Sequence, residues 1–106
     1  MANLTYQQLY ERTAQAGLAH FRAQNTKKAL QSELRSMYDT FFKANGRPSG
    51  RFDQYNDDFL PVMSFTEAQF ERVRAAKKIE YNALRRYRTA VGALDRFVDA
   101  FSEERQ

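Results

Sequence analysis

The chain has no cysteine and no tryptophan, a single histidine, two prolines and four glycines among its 106 residues. Without cysteine there is no disulfide, no thiolate zinc site and no thiol nucleophile, which fits a reducing compartment. One histidine cannot supply the three or four ligands of a typical zinc site. So few prolines and glycines leave long stretches with nothing to break a helix. No run approaches the ~18 apolar residues of a membrane span. Met1 to Thr5 lack the basic segment and apolar stretch of an export signal, so the cytoplasm is the expected location. No glycine-rich phosphate loop, nucleophile elbow or acid–base pair occurs. The expectation is a protein that is not an enzyme and holds no cofactor or metal.

Hydrophobic residues make up 42% of the chain and charged residues 28%, a balance that folds rather than stays disordered. The length suits one hydrophobic core, so residues 1–106 read as a single domain. Seventeen basic against thirteen acidic residues leave a net charge of +4, which favours polyanionic partners without choosing among them.

The apolar spacing predicts an all-α fold, a compact bundle of three to four helices with a long C-terminal helix. Thr5 and Gln8 have the spacing of a capping box, which places a first helix at about 6–24. Asn25 reads as the N-cap of a second, at about 26–44, whose positions Leu30, Leu34, Met37, Tyr38, Phe41 and Phe42 recur at three- and four-residue steps. The connecting segment 45–63 contains Gly46, Pro48, Gly50 and Pro61, yet Phe52, Tyr55, Phe59 and Leu60 make it apolar enough to pack or to hold a short helix. Ser64 and Glu67 form another capping box, which predicts a third helix at about 65–104. A break between Ile79 and Asn82, dividing that helix in two, is the alternative. From Leu84 through Tyr87, Val91, Leu94 and Val98 to Phe101 the apolar steps alternate three and four, a seam suited to a homodimer or another protein partner.

Chemical content concentrates in one stretch. Between Arg72 and Arg88 stand seven cations and a single acid, Glu80. At 100° per residue, Arg74, Lys77, Lys78, Tyr81, Arg85 and Arg88 share one side, opposite the stripe of Val73, Ala76, Ala83, Tyr87 and Val91. Guanidinium forks and lysine ammonium groups on such a ridge suit a phosphate backbone, and Tyr81 or Asn82 can reach a base. Beyond Thr89 the helix turns acidic with Asp95, Asp99, Glu103 and Glu104, which bounds the basic zone. The plainer interpretation is a solvated face, since exposed helices are commonly rich in Lys and Arg. Against it stands the lack of interleaved acids, which leaves like charges to repel one another.

Lys27 and Lys28 form a smaller basic point at the expected N-terminus of the second helix, where backbone N–H groups also attract anions. Arg47 and Arg51 read as loop solubilisers. His20 lacks a partner at ligand spacing, and Asp53, Asp57 and Asp58 miss the calcium-loop pattern, so neither points to a metal.

Two segments carry a family likeness. Asn25-Thr26-Lys27-Lys28-Ala29-Leu30, followed by Leu34, Met37, Tyr38 and Phe41, resembles the helix that opens the core-binding domain of tyrosine recombinases, the phage-type integrases. Tyr81-Asn82-Ala83-Leu84-Arg85-Arg86-Tyr87-Arg88, with Leu94 and Phe97, is similar to a later helix of that SAM-like domain. Most of the chain, including Gly46 to Met63, lies outside the likeness. The resemblance implies a four-helix DNA clamp whose catalytic residues sit in a separate domain, and no residue here matches that catalytic motif. The sequence-level expectation is thus a DNA-binding module using Arg74, Lys77, Lys78, Tyr81, Arg85 and Arg88, with Lys27 and Lys28 as secondary contacts. The alternative is a small phage- or plasmid-type accessory protein that acts through protein contacts.

Overall fold

A computed structural model describes the backbone from residue 4 to residue 104 and the side chains as far as Phe101. The described residues form helix α1 (Tyr6–Asn45), a 3-10 turn (Asp57–Phe59) and helix α2 (Leu60–Glu104), with no strand. The all-α class stands. The expected three to four helices do not, because the boundary expected at Asn25 and the alternative break at Ile79–Asn82 are both absent.

At its start α1 follows the sequence. The Gln8 N–H donates to Thr5 Oγ1 at 3.1 Å, and the Thr5 N–H donates to Gln8 Oε1 at 2.9 Å, the reciprocal pair of a capping box. The helix then runs through Gly17 and through Asn25-Thr26, where a boundary was expected. Asn and Thr in a helix interior cost only about 0.5 kcal/mol each relative to alanine, well below what apolar contacts on either side supply. The four-helix clamp implied by the recombinase likeness is therefore not seen: its first segment lies in the middle of α1. The end comes where expected. Gly46, at φ 78°, takes the left-handed conformation that closes a helix, and its N–H donates to Phe42 O at 2.8 Å.

Helix α2 begins at Leu60, not near residue 65, and continues through Ile79–Asn82 without a break. Its start is prepared by the 3-10 turn, in which Asn56 Oδ1 accepts the Asp58 N–H at 3.0 Å. Pro61 does not close the connector but occupies the first turn of α2, where its missing N–H removes nothing. Consequently Ser64-Phe65-Thr66-Glu67 is not a cap. Thr66 is buried inside the helix and donates its hydroxyl to Val62 O at 2.8 Å.

The contacts group into two compact units, Met1–Asn25 with Lys78–Gln106, and Thr26–Lys77. In the second unit the core is Phe59, Val62 and Thr66, each at most 1% exposed. Around it Phe52 packs on Phe59 with ring centroids 5.0 Å apart, and Phe41 on Phe65 at 5.4 Å. Gln69, nearly buried, donates through Nε2 to Leu30 O at 3.0 Å and to Glu33 Oε2 at 3.1 Å, so its amide protons do not go unsatisfied. Of the apolar residues of the connecting segment, Phe59 is core and Phe52 packs on it from the surface, whereas Tyr55 is 85% exposed.

The first unit is an antiparallel helix pair. Leu9 on α1 and Ala83 and Ala90 on α2 are buried, and the Thr13 hydroxyl donates to both Leu9 O at 2.9 Å and Ala90 O at 3.2 Å. Small residues bring the helices close. A β-carbon on Gly17 would lie 3.0 Å from the Tyr87 ring, which stacks on His20 with 6.3 Å between centroids and 5° between planes.

Candidate nucleic-acid interface

Packing against α1 sets the rotation of α2 in the first unit. With Ala83, Tyr87 and Ala90 turned toward α1, the phase of the helix turns Lys78, Tyr81, Arg85 and Arg88 away from it, and all four are exposed. The Arg85 guanidinium lies over the Tyr81 ring, 5.9 Å from its centroid, so the tyrosine holds one cation on the ridge.

Glu80, the lone acid of the basic stretch, turns inward. Its Oε1 lies 3.5 Å from His20 Nε2, and its side chain is 15% exposed. Its carboxylate therefore points between the helices, and the outward positions of the stretch around it, Lys78, Tyr81, Arg85 and Arg88, include no acid. This also gives His20 a structural place, between Glu80 and the Tyr87 ring, away from the basic face.

A groove of about 710 Å³ opens along one side of the pair. Arg12, Gln15 and Ala16 line it from α1, and Asn82, Arg85, Arg86, Thr89 and Ala90 from α2. Three guanidinium groups, two amides and a hydroxyl share this hollow, and no carboxylate lines it. Arg85 belongs to both ridge and groove. Arg86 Nε sits 3.4 Å from Asn82 O, a long contact that leaves the rest of the guanidinium fork for a ligand.

The remaining expected residues fall elsewhere. Arg74 and Lys77 are exposed on α2 but belong to the second unit, and Arg74 Nη1 lies 3.8 Å from Glu71 Oε1. That exposed i,i+3 pair dilutes the sign purity of the ridge at its N-terminal end. Lys28 is exposed and Lys27 half-buried, also in the second unit. Both sit in the interior of α1, so the free backbone N–H groups expected beside them are absent, and the anion site proposed there loses its physical basis. Glu103 and Glu104, which were to bound the basic zone, have side chains outside the described residues. Asp95 and Asp99 are exposed on α2 and do mark its acidic side.

Arg12, Gln15 and Thr89 were missed by reading the sequence. Arg12 is an isolated arginine on another helix, and only the antiparallel pairing brings it opposite Arg86. Helical phase placed Arg86 beside the ridge rather than on it, and the groove it lines needs two helices. The seam from Leu84 to Phe101 is partly consumed within the pair: Tyr87 packs at Gly17 and Leu94 is half-buried, whereas Val91, Val98 and Phe101 are exposed.

Among the described residues no group of His, Asp or Glu side chains is disposed to hold a metal, and no helix is long and apolar enough to cross a membrane. Comparison with family models, with curated proteins and with solved structures finds no match to this chain.

Proposed function

We propose that the first unit binds nucleic acid, duplex DNA in preference, through Lys78, Tyr81, Arg85 and Arg88 on the ridge and Arg12, Asn82 and Arg86 in the adjoining groove, without catalysis. The inward turn of Glu80 carries this reading: the one acid in the basic stretch points between the helices, so the exposed cations Lys78, Arg85 and Arg88 have no carboxylate interleaved among them on the outward face of α2. Cations so placed repel each other, and an anionic polymer relieves that repulsion while releasing its own counterions. An uninterrupted helix can lie in the major groove of B-form DNA, whereas the narrow major groove of an RNA duplex excludes it. Arg74, Lys77, Lys27 and Lys28, which belong to the second unit, are accessory cations in this reading.

Of the recombinase-like segments only Tyr81 to Arg88 lies on this ridge, and it points to the same ligand without the four-helix clamp of that family. His20 is an unsuitable acid or base for a ligand in the groove, since its ring is enclosed by Glu80 and Tyr87.

Fluorescence anisotropy with a labelled random duplex tests the proposal. Five cations, Arg12, Lys78, Arg85, Arg86 and Arg88, predict a slope of log affinity against log salt of roughly −4 to −5. Alanine at both Arg85 and Arg86 flattens that slope by about two while circular dichroism stays helical. A slope near zero, or tight binding unaffected by the double substitution, would overturn it.

A further inference from the structure

The first unit has a second side, opposite the groove, and it is apolar. On α1 the residues packed toward α2 are Leu9, Thr13, Ala16 and His20, at steps of four, three and four. One position further on, Tyr10, Ala14, Gly17 and Phe21 repeat the same steps. The contact of Gly17 with Tyr87 places this second stripe beside the Tyr87 flank of α2, away from Arg12 and Gln15. On that flank Leu84, Val91 and Val98 recur every seven residues, half-buried or exposed. Exposure is 55% for Tyr10, 58% for Phe21, 39% for Val91 and 43% for Val98.

A two-helix seam requires one apolar stripe per helix; a helix in a four-helix bundle carries a wider one, because it packs against two neighbours. Both helices of this unit carry the wider stripe, on the same side, and the pair itself satisfies only half of it. We infer that this side seats the same side of a second copy of the chain, two helix pairs forming a four-helix core with the basic faces outward.

Three features favour a second copy. First, the stripe is large at its ends and small between them, Tyr10 and Phe21 flanking the exposed Ala14, so one patch offers both the projections and a hollow that an isologous contact must match to itself. Second, a chain of net charge +4 repels its copy through any basic face, and these stripes hold no cation. Arg88 and Asp95, exposed on α2, border them at the rim. Third, the area fits. With about half of each ring exposed, Tyr6, Tyr10 and Phe21 together with Leu18, Val91 and Val98 present on the order of 500 Å² of apolar surface. A standard interface of about 800 Å² per partner, roughly 60% apolar, needs that much. At the open end of the pair a hollow of about 460 Å³ between Tyr6, Phe97, Val98 and Phe101 offers a socket for an aromatic anchor.

This inference does not rest on nucleic-acid binding, and nuclease-treated protein without added DNA tests it. Sedimentation equilibrium of the full chain at micromolar concentration should give about twice the 12.4 kDa chain mass. The melting temperature should rise with protein concentration, a readout that needs no variant. Phe21→Glu with Val91→Glu should weaken association at least about a hundredfold and leave a helical monomer, because both side chains are exposed within one chain. Phe70→Glu, an exposed position of the second unit, should leave the dimer intact. A wild-type monomer with a concentration-independent melt overturns the inference. So does a dimer that survives Phe21→Glu/Val91→Glu, or one lost on Phe70→Glu.

Discussion

Gly17 shows how one residue sets the spacing of the helix pair. Glycine in a helix interior is destabilising by about 1 kcal/mol relative to alanine, so its presence mid-helix calls for a local reason. That reason is Tyr87, whose ring approaches to within 3.0 Å of where a β-carbon would stand. The Tyr87 ring is held in turn by the parallel His20 ring, which lies against Glu80. Gly17→Val should therefore force Tyr87 off its site and lower stability by about 1–3 kcal/mol, although valine has the better helix propensity. Urea denaturation measures it, and an unchanged or raised midpoint would show that the ring yields freely. The sequence offers Gly17 only as a weak point in a helix. The close approach that makes it necessary involves a residue seventy positions away.

At the scale of the element, the continuity of α1 is the departure from expectation with the clearest physical cause. Asn25-Thr26 has the residue types of a helix start, and local chemistry alone allows either a cap or an interior turn. What decides is packing: Thr13, Gly17 and His20 engage α2 before this point, and Leu30 O accepts from Gln69 after it. A proline discriminates the two states. At the first position of a separate helix, Thr26→Pro would be neutral, because that N–H has no partner. Within a continuous helix it removes a hydrogen bond and clashes with the preceding turn, so a loss of about 3 kcal/mol and of helical ellipticity is expected. A stable, fully helical variant would restore the boundary. The capping box at Ser64-Glu67 teaches the same lesson. The pattern is present, but Phe59 and Val62, buried in the core of the second unit, start the helix a turn earlier.

At the scale of the whole molecule, the two sides of the first unit call for opposite responses to salt. Contact between the basic face and DNA is Coulombic and weakens with ionic strength, whereas apolar association does not. Raising salt from about 0.1 to about 0.5 M should abolish duplex binding while the sedimenting mass is unchanged. Were the dimer instead held by charge at the rim, through Arg88 and Asp95, its mass would fall over the same range.

The sequence by itself determined the all-α class, the cap at Thr5, the stop at Gly46, the apolar character of the connecting segment and the outward basic ridge of α2. Each is written in residues within a few turns of one another, where spacing and intrinsic preference act directly. The tertiary structure alone decided how many helices there are and which surfaces they share. It carried α1 past Asn25, set Arg12 across a groove from Arg86, turned Glu80 inward to His20 and divided the Leu84 to Phe101 seam into a packed half and an exposed half. Those outcomes depend on contacts such as Thr13 with Ala90, 77 residues apart, whose free energy belongs to no local window of the chain.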